Sequence, residues 1–193
     1  MARPKLSLII PVYNKAPFLR RCLDSIEKQL TDEVQAVIID EASTDGSDKI
    51  ILEYDKFDWI YLLENGGVSK ARNEGLDYAE GEAVAFVDAD DALEDGAIEK
   101  MLTYAERVDK WPIIQFGQKR LFPDNRVYLK CAEKGSYTVE SVPKYWQMVW
   151  NKVYSLDFIR RHSVRFREDM GFGEDEVFNI ELLCRAKKLW YSP

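Results

Sequence analysis

Asp88, Asp90 and Asp91 follow directly on Ala83-Val84-Ala85-Phe86-Val87, an apolar run with no polar break. Such a run reads as a strand buried on both faces, and carboxylates are tolerated beside it only once the chain has left the sheet. The acids therefore belong at the carboxyl end of a central strand, where open α/β sheets bind ligands. Alternate residues of one loop aim two carboxylates at one point, which suits a hard divalent cation carrying phosphate oxygens. A solvated loop, with an aspartate capping the helix that begins near Gly96, is the competing explanation. Two further acid pairs recur in similar places: Asp40-Glu41 ends the apolar run 34–39, and Glu174-Asp175 opens the last predicted helix. Acids at a helix N-terminus are also ordinary dipole partners.

The elements that must position these acids alternate at short spacing. Leu6–Val12 is a buried strand ended by Pro11, with Tyr13-Asn14 in the loop beyond, and Pro17 suits the first turn of a following helix. Phe18, Leu19, Cys22, Leu23, Ile26 and Leu30 recur at three- and four-residue steps, the pattern of an amphipathic helix. Strand 34–39, helix 47–56, strand 59–64, helix 69–79, strand 82–87 and a helix through Ile98, Met101, Leu102, Ala105 and Val108 complete the first part. This alternation predicts a doubly wound, mostly parallel α/β sheet with right-handed crossovers and helices on its flanks. Runs 113–122 and 126–131 flank Pro123-Asp124-Asn125 and read as a strand pair, expected as an antiparallel edge. A helical C-terminal portion follows, with helices expected over 139–149 and 156–162 and a last one whose apolar side is Val177, Phe178, Ile180, Leu182, Leu183 and Ala186.

The chain has 193 residues and a net charge of -7, enough for one domain with a real core and unsuited to a nucleic-acid binder held by phosphate contacts. Cys22, Cys131 and Cys184 fit no metal spacing, so buried free thiols in a reducing compartment are expected. No signal-peptide core and no run of eighteen apolar residues is found, so a soluble, cytoplasmic chain is expected.

Six motifs stand in order: Ser7-Leu8-Ile9-Ile10-Pro11-Val12-Tyr13-Asn14, Asp40-Glu41-Ala42-Ser43-Thr44-Asp45, Asn65-Gly66-Gly67-Val68-Ser69-Lys70-Ala71-Arg72-Asn73, Phe86-Val87-Asp88-Ala89-Asp90-Asp91, Trp150-Asn151-Lys152-Val153-Tyr154 and Gly173-Glu174-Asp175. As a set they resemble the inverting family 2 glycosyltransferases of the GT-A fold, of the bacterial polysaccharide-biosynthesis type, over essentially the whole chain. The resemblance implies a single GT-A domain over 1–193, with a nucleotide-sugar-binding half at 1–117 and an acceptor-side half at 118–193, truncated at its C-terminus. It implies a nucleotide-sugar donor, usually a UDP-sugar, with Mn²⁺ or Mg²⁺ on its diphosphate, and transfer of a hexosyl or N-acetylhexosaminyl group to a saccharide or lipid-linked acceptor. Peripheral attachment at the inner face of a bacterial membrane is implied by the family alone.

By the same resemblance Asp40 recognises the uracil ring, with Pro11, Tyr13 and Asn14 beside it, and Arg72 meets the nucleotide. A carboxylate can accept the N–H of the base, and a guanidinium fork suits carbonyl or phosphate oxygens. Asp88 and Asp90, with Ala89 between them, match the DxD pair: Asp88 toward ribose and metal, Asp90 as principal metal ligand, and Asp91 as a lesser third acid. Asp175 matches the general base, with Glu174 as the alternative. Lys152, Trp146 and Trp150 are candidates for lining a sugar pocket, and core packing is their competing explanation. The chain departs from the family pattern in Glu41, where aspartate is common, in stopping at Leu189-Trp190-Tyr191-Ser192-Pro193, and in His162, which comes too early for a late metal-binding histidine. The rival functions are a haloacid-dehalogenase-type phosphohydrolase, whose nucleophile motif is also Asp-x-Asp after a strand, and a domain that binds a nucleotide-sugar without turnover.

Overall fold

The computed structural model describes residues 3–121, 127–130, 132–142 and 146–193. At its centre lies β1 (Leu6–Val12), buried at every position. It pairs in parallel with β2 (Val34–Asp40) on one side and β4 (Ala83–Phe86) on the other, while β3 (Asp58–Tyr61) continues the parallel set beyond β2. Next to β4 comes β9 (Lys152–Ser155), antiparallel both to β4 and to β5 (Ile113–Phe116). Then β10 (Leu189–Ser192) runs parallel to β5, and β8 (Gly135–Tyr137) closes the sheet as an antiparallel edge. The order is β3-β2-β1-β4-β9-β5-β10-β8, and β6 (Gln118–Leu121) with β7 (Val127–Lys130) forms a separate two-stranded ribbon.

Two-residue periodicity divides the core. Leu6, Leu8, Ile10 and Val12 face one side, where α1 (Ala16–Glu27) supplies Leu19, Leu23 and Ile26 and α4 (Ala97–Ala105) supplies Ile98 and Met101. The side chain of Ile51, from α2 (Ser47–Ile51), joins this layer. Ile9, Val37, Ile39, Val84 and Phe86 face the other side, against Leu76 of α3 (Val68–Tyr78), Ile159 of α5 (Leu156–Arg161), and Phe178 and Leu182 of α6 (Glu174–Ala186). On that side Phe86 lies edge-on to Tyr154, Phe166 and Phe178, and Phe166 stacks on Phe178 at 4.0 Å, a rigid aromatic floor.

The doubly wound plan holds, and several local expectations change. The described residues of 139–149 form a turn at Thr138–Val142 and irregular chain from 146, not a helix; 143–145 lie outside the described residues. Side chains take the polar groups a helix would use: the Gln147 carbonyl accepts from Asn179 and the Val149 N–H donates to Asp175. Helix α2 stops at Ile51 rather than 56 because Tyr54 and Phe57 turn into the core, the Tyr54 hydroxyl donating to Asp24 at 2.5 Å. The strand pair expected as the sheet edge is instead β5 within the sheet plus the β6–β7 ribbon, and β8 provides the edge; the turn at 123–125 lies outside the described residues. On α6, Ile180 is 38% exposed and Asn179 takes the buried position. Cys22 is buried as expected, Cys184 is exposed because it points away from the α6 core face, and Cys131 lies outside the described residues.

Candidate functional site

The chain leaves β1 at Tyr13 and turns through Asn14, whose φ of 51° is left-handed. Two hydrogen bonds hold that turn against the loop after β2: the Asn14 N–H donates to Ser43 Oγ at 3.0 Å, and Asn14 Oδ1 accepts from the Thr44 N–H at 2.8 Å. The N–H groups of Lys15 and Ala16 continue the seam to Ser47 Oγ and Asp45 Oδ2. Within this double loop Asp40 is fully buried. Its Oδ1 accepts from the Ser43 N–H at 3.1 Å, while Oδ2 is buried without a partner. Glu41 is buried as well, and burial pushes its carboxyl above the usual range against the pull of the Gly66 and Gly67 amides. Pro11 sits inside β1 opposite Ile39, and Tyr13 is 42% exposed at the loop.

At the end of β4, Asp88 and Asp90 fall beside that double loop. Lys15 Nζ lies 2.5 Å from Asp90 Oδ2, and Arg21 donates to the Asp90 carbonyl at 2.6 Å. Ala89 is buried between the acids, while Asp91 is exposed after a turn closed by its N–H on the Asp88 carbonyl. Burial raises the pKa of Asp88, opposed by Arg72, with the Asp90 charge adding to the rise.

Arg72 on α3 is buried, 4% exposed, so it is not a surface helix arginine. Its Nη1 donates to Asp175 Oδ1 at 2.6 Å and to Glu174 at 3.1 Å, its Nη2 reaches Asp88 at 3.4 Å, and its guanidinium carbon stands 5.3 Å over the Phe166 ring. Gly173, at φ 82°, supplies the left-handed turn that swings the chain into α6 and presents Glu174 and Asp175 in its first turn. The second Asp175 oxygen accepts from the Val149 N–H at 3.3 Å. Burial is the largest influence on Asp175: against Arg72 and the Val149 amide, and helped by Glu174 and Asp88, it pushes the carboxyl up to about 6. That value suits a group that exchanges a proton near neutral pH.

The structure thus brings Arg72, Asp88, Glu174 and Asp175 into one cluster, with Asp90 alongside and Asp40 behind the adjoining loop. Trp146 and Trp150 are half-buried, and Lys152 is wholly buried beneath the segment that holds Asp175. Two contributors escaped the sequence reading. Asn179 stands one turn after Asp175, a polar residue on an otherwise apolar helix face, and Lys15 follows directly on Tyr13-Asn14; both spacings are visible in the chain.

The sequence pattern described as Glycosyl transferase family 2 matches residues 7–158. The chain belongs to that family. Among curated relatives, this family 2 chain is 41% identical to glycosyltransferase GlyA of Streptococcus pneumoniae, over 97% of its own length and 29% of the relative's. It is 27% identical to the uncharacterized glycosyltransferase EpsJ of Bacillus subtilis, over 96% and 58%. Among solved structures, residues 1–349 of S. aureus TarS in complex with UDP superpose with a TM-score of 0.83 at 25% identity, covering 97% of this chain and 57% of that one. The chain spans under three fifths of the length of each of these three. The family match and the superposition together bear out the GT-A reading. No helix among the described residues is long and apolar enough to cross a membrane.

Proposed function

We propose that this chain carries the donor site and catalytic base of a metal-dependent, inverting glycosyltransferase that takes a UDP-sugar and glycosylates a saccharide or lipid-linked acceptor in bacterial surface-polysaccharide synthesis. One observation carries the reading: a single buried guanidinium, that of Arg72, joins Asp88 after β4 to Glu174 and Asp175 on α6. Acids distant in sequence converge on one guanidinium, as transfer between two substrates requires. A TarS structure that superposes closely contains UDP.

Asp40 reads the base. Its buried Oδ2 has no protein partner, and a buried acceptor left unpaired costs about 1–3 kcal/mol, so an N–H from the uracil ring restores the missing bond. Asn14 and Ser43 hold the loop around it. Asp88 and Asp90 fit a hard divalent cation by their chemistry: both present carboxylate oxygens, and burial, with the Asp90 charge adding to it against Arg72, raises the pKa of Asp88, a penalty that a cation relieves. Among the described residues no three His, Cys, Asp or Glu side chains form a metal-holding group, so Asp88 and Asp90 would be the protein's share of the ligands to such an ion. When bound, the ion offsets negative charge building on the departing diphosphate.

Asp175 acts on the other substrate. It takes the proton of the acceptor hydroxyl as that oxygen bonds to the anomeric carbon, on the face opposite the breaking bond to the diphosphate, which gives inversion. Arg72 holds Asp175 Oδ1 throughout, and Glu174 is the alternative base. The test is hydrolysis of a panel of UDP-sugars with Mn²⁺ or Mg²⁺, followed by transfer to glycan acceptors. Turnover of one UDP-sugar, abolished by EDTA, is expected; binding of UDP with no turnover of any donor would make the chain a non-catalytic binding domain.

A further inference from the structure

Lys152 is wholly buried on β9, and burial drives its pKa well below the ordinary lysine range. A charge in that place is costly, and a methionine would fill the volume without the cost, so stability alone does not explain the residue. Its partners do. Nζ donates to the Met148 carbonyl and to Asn151 Oδ1, the latter at 2.9 Å. The Met148 carbonyl and the Val149 N–H belong to one peptide unit, and that N–H is the group that donates to Asp175 Oδ2. One amide plane therefore has Lys152 on its oxygen and Asp175 on its nitrogen. Two hydrogens on Nζ satisfy both of its acceptors, so the arrangement holds whether the amine is protonated or neutral.

The rest of the segment is fastened in the same manner. Asn179 Nδ2 donates to the Gln147 carbonyl at 2.5 Å and to the Asp175 carbonyl at 2.9 Å, while Asn179 Oδ1 accepts from the Tyr154 hydroxyl at 2.8 Å. Residues 147–149 lie outside any helix or strand, yet β9 holds them through Lys152 and α6 through Asp175 and Asn179.

We propose that Lys152 is a positioning residue for Asp175: it fixes the plane of the 148–149 peptide so that the Val149 N–H holds Oδ2 while Arg72 holds Oδ1, leaving the carboxylate one orientation toward the acceptor. This rests on Asp175 being the base of the proposed reaction. An amide whose oxygen already accepts a hydrogen bond is the stronger donor at its nitrogen, so the lysine also strengthens the bond to the carboxylate. The charged and titratable groups around Asp175 are Arg72 from α3, Glu174 from α6, Asp88 from the loop after β4, and Lys152 and Tyr154 from β9. Among them only Lys152 reaches Asp175 through a peptide.

A double-mutant cycle separates this role from ordinary packing. Lys152→Met is expected to lower kcat by about tenfold or more, to leave the donor KM and calorimetric UDP affinity unchanged, and to cost nothing further in an Asp175→Asn background. Carbon-13 NMR of the carboxyl groups, with the Asp175 signal assigned by its loss in Asp175→Asn, reads the same contact without turnover; Lys152→Met should raise that titration by about one pH unit. Lys152→Gln, which keeps an N–H donor, is carried through both measurements if the methionine variant does not fold, with a smaller change in the same direction. Losses that multiply with Asp175→Asn, or an unmoved Asp175 titration, would overturn the proposal. Wild-type transfer by Asp175→Asn would instead overturn the base assignment beneath it.

Discussion

Asp175 accepts from Arg72 on one oxygen and from the Val149 amide on the other, yet burial still leaves its carboxyl at about 6. A base works only when ionised, so the rate of transfer should rise with pH through about 6 and level off above 7, falling roughly tenfold per unit below the midpoint. A pH profile of kcat measures this, and Asp175→Asn should lose the limb together with a factor of roughly a hundred in rate while still binding UDP. A flat profile would move the proton transfer elsewhere. Asp40 gives a second prediction at this scale. Because its free oxygen is buried within the loop clasp, Asp40→Ala should weaken UDP by about tenfold or more and leave inorganic diphosphate almost unaffected. Isothermal titration with both ligands checks it, and equal losses would mark Asp40 as structural.

Elements matter here through how closely they approach. Helix α3 lies so near β1 that a Cβ on Gly75 would stand 2.4 Å from Ile9 Cγ2, inside any permitted contact. Alanine is better than glycine in a helix by about 1 kcal/mol, but crowding a packed interior costs about 1–3 kcal/mol, so the clash decides the sign. Gly75→Ala should therefore lower stability in urea unfolding, and it should weaken activity as well, since the same helix carries Arg72. An unchanged midpoint would show that α3 can shift without consequence. At the other side of the cluster, α6 depends on its left-handed Gly173 start, which aims Glu174 and Asp175 inward while the phenylalanine floor fixes the depth of the helix.

For the whole molecule, the sheet order determines which loops meet. The chain builds outward from β1 through β2 to β3, then returns to the other side of β1 with β4, and the loops after β1 and β4 meet at that reversal, as the Lys15 contact with Asp90 records. Beyond β4 the antiparallel β9 holds, through Lys152, the 148–149 peptide whose N–H bonds Asp175 at the start of α6. A ligand that bridges this reversal should stabilise the fold globally: UDP with Mn²⁺ at about a hundred times its dissociation constant adds about 2.7 kcal/mol. Thermal unfolding should show a larger shift with UDP and Mn²⁺ than with UDP and EDTA. Equal shifts would remove the ion from Asp88 and Asp90.

Much of this was readable in the linear chain, because its signals are local. Apolar runs of strand length ending in Asp40 or Asp88, and helical periodicity in α1 and α4, require only neighbours in sequence to be recognised. The 139–149 segment was misread for the opposite reason: its backbone groups are claimed by Asn179 and Asp175, which arrive from about thirty residues away and outweigh weak helix propensity. For the same reason the sequence leaves Lys152 between a pocket and a core position, β9 and β10 are too short to stand out, and Arg72 gives no sign that it would join two acid motifs. Residue order determined which side chains leave the sheet edge and in what sequence; packing alone decided which of them touch, because burial and hydrogen-bond partners are properties of segments brought together by the fold.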